Sequence, residues 1–165
     1  MEPGDVVLCH SEGIVGSAIR WAQRREYSGA FSQYNHVAII DRIEDGVAYI
    51  IQAEAAGVTN DKQLESVAPG GTYRVIPLPE SVDKDKFLEF ARSQVGALYG
   101  FTTILSCALD VLLPESICLR KYGTWICSGL VAAALMYGGF KPTQGWGDIY
   151  TTFPSEIAKE LLTLV

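Results

Sequence analysis

Cys127 lies in the run Thr124-Trp125-Ile126-Cys127-Ser128-Gly129-Leu130-Val131-Ala132-Ala133-Ala134-Leu135. The residues after it read as an apolar helix, which places the cysteine where that helix begins. Unpaired backbone N–H groups and the positive end of the macrodipole gather at such a position. Both favour thiolate over thiol, and the thiolate is the nucleophile. Far upstream, His36 opens the strand-like run His36-Val37-Ala38-Ile39-Ile40. A cysteine at a helix start and a histidine at a strand start are the minimal parts of a thiol hydrolase or acyltransferase.

The histidine needs a third group to orient its ring. Glu44-Asp45-Gly46 is a hairpin signal, and it feeds a second strand over Val47 to Ala53. In such a hairpin the end of the second strand lies opposite the start of the first. Gln52 or Glu54 then falls beside His36, and alternation puts both on one face. Glu54 is the preferred partner, because its charge would also stabilise an imidazolium.

The elements that hold these residues follow from periodicity. Val6 to Cys9 is a short strand, and Gly13 to Tyr27 a helix with Arg20, Arg24 and Arg25 on a solvated side. Ser28 to Tyr34 reads as a loop and Ala55 to Pro69 as irregular. Tyr73 to Leu78 is a strand, and Asp83 to Val95 a helix with an acidic start. The apolar stretch Phe101 to Leu113 fits the core, or a groove for an acyl chain. Gly138-Gly139 ends the Cys127 helix, and Ser155 caps a C-terminal helix. The order predicts an α+β fold, an antiparallel sheet packed on helices, in one domain spanning 1–165.

Several segments, in this order, resemble the permuted branch of the NlpC/P60 papain-like superfamily, the group that includes the lecithin:retinol acyltransferase-like proteins. They are Gly4-Asp5-Val6-Val7-Leu8, Ser17-Ala18-Ile19-Arg20-Trp21, Tyr34-Asn35-His36-Val37-Ala38-Ile39, Gln52-Ala53-Glu54-Ala55-Ala56-Gly57-Val58, Gln94 to Gly100, Ile126-Cys127-Ser128-Gly129-Leu130-Val131 and Pro154-Ser155-Glu156. Gly129 departs from the glutamate common at its position. The resemblance implies a papain-like fold with Cys127 as nucleophile, His36 as general base and Glu54 or Gln52 as the orienting residue. It implies an oxyanion hole using the Cys127 backbone N–H, and substrate contacts from Tyr34, Tyr99 and Ser128.

The expected activity is a cysteine amidase or peptidase working through an acyl-enzyme, possible substrates including peptidoglycan-type peptides. The alternatives are an acyltransferase or thioesterase on a lipid acyl substrate, and a non-catalytic binding module on the same scaffold. No metal or organic cofactor is expected. A net charge of −6 and a pI near 4.9 argue against a nucleic-acid partner. No apolar run is long enough to span a bilayer, and the acidic Met1-Glu2-Pro3-Gly4-Asp5 is unlike a secretory leader. The expected compartment is therefore the cytoplasm, or a phage-encoded origin with release by lysis or in a particle. Cys9, Cys107, Cys118 and Cys127 have no CxxC spacing and read as free thiols. Nothing in the sequence sets an oligomeric state.

Overall fold

A computed structural model describes residues 1–12, 14–25, 27–67, 72–100, 123–143 and 145–164. The Phe101 to Leu113 segment, Cys107 and Cys118 lie outside the described residues. The fold is α+β. Its centre is a five-stranded antiparallel sheet of β1 (Val6–His10), β2 (His36–Glu44), β3 (Val47–Glu54), β4 (Gly57–Gln63) and β5 (Thr72–Ile76), in the order β4-β3-β2-β1-β5.

The β2–β3 hairpin turns at Asp45 and Gly46, whose φ angles are 50° and 81°. Two successive positive φ values match the right-handed twist of the flanking strands, and Asp-Gly tolerates them. Beyond it, the segment expected to be irregular forms β4 and the short helix α3 (Leu64–Val67). After Val58, β4 reads Thr-Asn-Asp-Lys-Gln, a polar edge strand with no apolar alternation to betray it. The expected loop before β2 likewise contains a helical turn, α2 (Gly29–Ser32).

Both faces of the sheet are covered, which is why Val6-Val7-Leu8-Cys9 and Val37-Ala38-Ile39-Ile40 are apolar without alternation. Val6, Leu8, Val37, Ile39, Ile51 and Ala53 share a core with Phe87, Leu130, Ile157 and Leu161. Those four come from α4 (Lys84–Ser93), α5 (Cys127–Tyr137) and α6 (Pro154–Leu162). Val7, Cys9, Ala38, Ile40 and Ile50 face a smaller cluster with Leu64. The sequence's first helix is α1 (Ile14–Gln23), which stops before the Tyr27 its periodicity suggests. Among the described residues, no helix is long and apolar enough to cross a membrane.

Helix α5 is the central helix. All nine residues from Cys127 to Leu135 are buried, as expected for a helix that is apolar all round. Gly129 meets its neighbours at close range. A Cβ there would sit 2.9 Å from the Ile149 carbonyl oxygen and 3.3 Å from Ile126 Cγ1. Overpacking against backbone costs about 1–3 kcal/mol, whereas alanine recovers only about 1 kcal/mol of helix propensity. Gly129→Ala is therefore expected to be neutral to about 2 kcal/mol destabilising, read as a lower urea midpoint with an unchanged slope.

Ser155 does not cap the C-terminal helix. The N-cap is Phe153, with Pro154 at the first helical position. Phenylalanine has no side-chain acceptor, so the local contact is one-sided: the Glu156 carboxylate accepts the Phe153 N–H. Ser155 is fully buried, one residue inside the helix.

Candidate active site

Helix α5 starts without a side-chain cap, because its N-cap is Ile126. Its first N–H groups are thus left for other acceptors. The backbone N–H groups of Ser128 and Val37 both donate to the Cys127 sulfur. Cys127 is only 7% exposed.

His36 is the first residue of β2 and pairs across the sheet with Cys9. Its Nε2 lies 2.7 Å from Gln52 Oε1. That contact occupies one ring nitrogen and leaves Nδ1 to the Cys127 sulfur, with which the imidazole is also hydrogen-bonded. The orienting contact is therefore made by Gln52 and not by the preferred Glu54. Glu54 ends β3, two residues further along, and adds a negative charge felt by His36 and Tyr99.

The two central groups shift each other's titration. Burial pushes the Cys127 thiol up, but the His36 charge, the hydrogen bond from its ring and the Val37 and Ser128 N–H groups outweigh it. The net direction is down from the ordinary thiol value. Burial likewise pulls His36 down. The Cys127 charge, the shared hydrogen bond, the Gln52 carbonyl and the Glu54 charge outweigh it, and the net direction is up. Both shifts run toward a thiolate–imidazolium pair, and the apparent titrations belong to the pair. Cys9 is the contrast: burial, then repulsion from Cys127, pushes it to about 12. It is a buried free thiol, like the small core residue its surroundings suggest.

Tyr99 arrives by a separate route. The two-residue strands β6 (Leu98–Tyr99) and β7 (Thr124–Trp125) run parallel, with Tyr99 opposite Trp125, two residues before Cys127. Burial, the Cys127 charge and the Glu54 charge all push its phenol up, so it stays protonated as a donor.

These residues open onto a cavity of about 560 Å³. His36, Gln52, Glu54, Tyr99 and Cys127 line it, so five of the seven residues singled out from the sequence come together. Two do not. Tyr34 is 8% exposed and packs into the main core. Ser128 is 1% exposed, and its Oγ has no hydrogen-bond partner among the described residues. Its contribution is the backbone N–H.

The remaining walls were not foreseen. Ser11, Glu12, Gly16 and Ile19 form one side, and Lys62, Ser66 and Val67 another. Asn35 locks the first wall: its Oδ1 accepts from Ser11 N at 2.9 Å, and its Nδ2 donates to Ser11 O at 2.8 Å. Arg20 Nη1 donates to the same carbonyl at 2.6 Å, so this arginine is tied down and not part of a solvated face. Asn35 stands beside His36 in the sequence, which was a usable signal. Lys62 and Ser66 sit in the stretch that looked irregular.

Comparison with known proteins yields a fold. The chain resembles the crystal structure of the metalloprotein yiiX from Escherichia coli O157:H7. The TM-score is 0.56 at 18% identity, covering 96% of this chain and 79% of that one. Identity this low speaks to architecture alone. No family model matches the chain, and no curated protein matches it. Among the described residues, no group of three or more His, Cys, Asp or Glu is placed to hold a metal ion.

Proposed function

We propose that this protein is a cysteine hydrolase of peptide or amide bonds, built on a permuted papain-like scaffold. The observation that carries the reading is the chain of contacts from the α5 N-terminus through Cys127 and His36 to Gln52 Oε1 at 2.7 Å. A nucleophile bonded to a base, with the base held by a third group, is the arrangement covalent acyl transfer needs.

The Cys127 thiolate attacks the carbonyl carbon, and the carbonyl oxygen becomes an oxyanion. The donors we assign to that charge are the Cys127 backbone N–H at the start of α5 and the protonated Tyr99 hydroxyl, which lines the same cavity. His36 passes its Nδ1 proton to the leaving nitrogen as the C–N bond breaks, which leaves a thioester on Cys127. Water then gives a proton to His36 and its oxygen to the acyl carbon, and the thiolate is released. Gln52 holds Nε2–H throughout, which keeps Nδ1 aimed at sulfur. Ser11, Glu12, Asn35, Glu54, Lys62 and Ser66 set polar and charged groups beside the apolar Ile19 and Val67, a mixed lining whose polar groups can pair with the amides of a peptide-like substrate.

The test is a burst experiment with p-nitrophenyl acetate. A stoichiometric burst of nitrophenolate, with the acetyl group mapped transiently to Cys127, is the expected result. Acetylation scattered over lysines with no burst would sink the reading.

A further inference from the structure

Two segments singled out in the sequence have no part in the chemistry above: the end of the first helix and Pro154-Ser155-Glu156. They meet at Gln23, the last residue of α1. Gln23 is 2% exposed. Its Nε2 donates to Tyr34 O at 2.9 Å and lies 3.4 Å from Ser32 O. Its Oε1 accepts from Ser155 N at 2.9 Å, across 132 residues of sequence. One buried amide therefore joins three elements: the end of α1, the entrance to β2 and the N-terminus of α6.

The position of the Tyr34 carbonyl gives this contact its consequence. It lies two residues before His36. The next residue, Asn35, begins the sheet pairing through its N–H to Cys9 O at 3.0 Å. Gln23 thus holds the carbonyl that ends the helical turn α2 and the one just before that first sheet bond, where the chain enters β2. His36 has little slack at this end, because Nδ1 must meet sulfur while Nε2 meets Gln52.

We infer that Gln23 is a positioning residue for His36, and that the Pro154-Ser155-Glu156 turn acts on the site through it. The inference rests on the Cys127–His36 reading above. Both ends of the amide are used: the carbonyl holds α6 by the Ser155 N–H, and the NH₂ group holds the β2 entrance. A glutamine suits this position because it offers an acceptor and two donors without a charge to bury. Gln23→Leu removes both functions at similar volume. Gln23→Glu separates them by pH. When protonated, its carboxyl donates to Tyr34 O while its carbonyl accepts from Ser155 N–H. When ionised, it faces two carbonyl oxygens with no proton to give, and burial beside them raises the pH at which that happens.

The experiment measures iodoacetamide alkylation of Cys127 against pH by peptide mass spectrometry, and His36 titration by NMR, in wild type and both variants. Circular dichroism monitors the fold. Wild-type Cys127 should react at acid pH while Cys9 stays silent. Gln23→Leu should slow Cys127 on the order of ten-fold at acid pH, the scale of a small misplacement, and move the His36 titration down. Gln23→Glu should match wild type at acid pH and fall to the Leu level as its carboxyl ionises. A folded Gln23→Leu protein whose alkylation and His36 curves overlay wild type overturns the inference. So does a folded Gln23→Glu protein with no acid recovery, which decides the matter if Gln23→Leu fails to fold. If wild-type Cys127 reacts no faster than Cys9, the hydrolase reading fails, and the His36 titrations alone then decide the positioning role.

Discussion

Cys127→Ala is expected to abolish turnover, a fall of roughly 10⁵-fold or more, while the protein stays folded. The magnitude follows from removing the atom that forms the covalent intermediate, since the remaining groups only bind and polarise. Retention of the fold follows from the site. Alanine is the best helix former, and the neighbouring α5 residues Leu130 to Leu135 are fully or nearly fully buried without help from the thiol. The substitution should also change His36. The thiolate charge and the hydrogen bond to sulfur are the largest effects holding its titration up, and burial opposes them. With sulfur gone, the imidazole should titrate lower than in wild type. Steady-state assay, thermal melting and NMR titration of His36 check the three statements. Retained turnover in the variant would place the nucleophile elsewhere.

Gln52→Ala is expected to cost more activity than Glu54→Ala. Gln52 makes the contact to Nε2 at 2.7 Å and is 4% exposed. Losing a hydrogen bond to a charged group costs about 1.5–3 kcal/mol, or roughly 10- to 100-fold in kcat/KM. The loss should fall on kcat, since Gln52 orients the base and holds no substrate in the mechanism proposed. Glu54 acts on His36 only through its charge, the smallest of the effects that raise that group. Removing it should narrow the alkaline side of the pH profile by lowering the imidazolium's titration, with a smaller loss at the optimum. Sheet register gives the same ranking a structural basis: Glu54 is the last residue of β3 and sits opposite Gly57 of β4. A larger loss from Glu54→Ala would return the orienting role to that carboxylate.

The comparison of Gln52 with Glu54 marks how far the residues alone reach. Both lie on one strand face within reach of the hairpin partner, so alternation cannot separate them. The β2–β3 ladder carries an irregularity between Ile40 and Arg42, and β3–β4 another between Ile50 and Gln52. Such bulges re-aim side chains by local twist, and their places are not written in apolar periodicity. Ser155 is a similar case. Serine is a good cap by type, but the proline at the first helical position puts the cap at Phe153, and the Ser155 N–H goes to a glutamine from α1.

Several features were legible in the chain itself because their causes are local. The uninterrupted apolar runs of β1 and β2 announced strands, which the structure buries on both faces. Asp45-Gly46 announced the hairpin, and Asp83 capped α4 by accepting from Lys86 N at 3.1 Å. The Ala/Leu run after Cys127 announced a central helix with a cysteine at its head. Local energetics decide each of these: φ preferences, capping and side-chain period act over a few residues. What only the tertiary structure decided is long-range and polar. It brought Lys62 and Ser66 to the cavity from an edge strand and a helical turn without apolar pattern. It turned Tyr34 and Ser128 into the core, and joined Gln23, Tyr34 and Ser155 across most of the chain. Buried amides and carbonyls must find partners wherever packing puts them, and a sequence read one segment at a time holds no record of which partner that is.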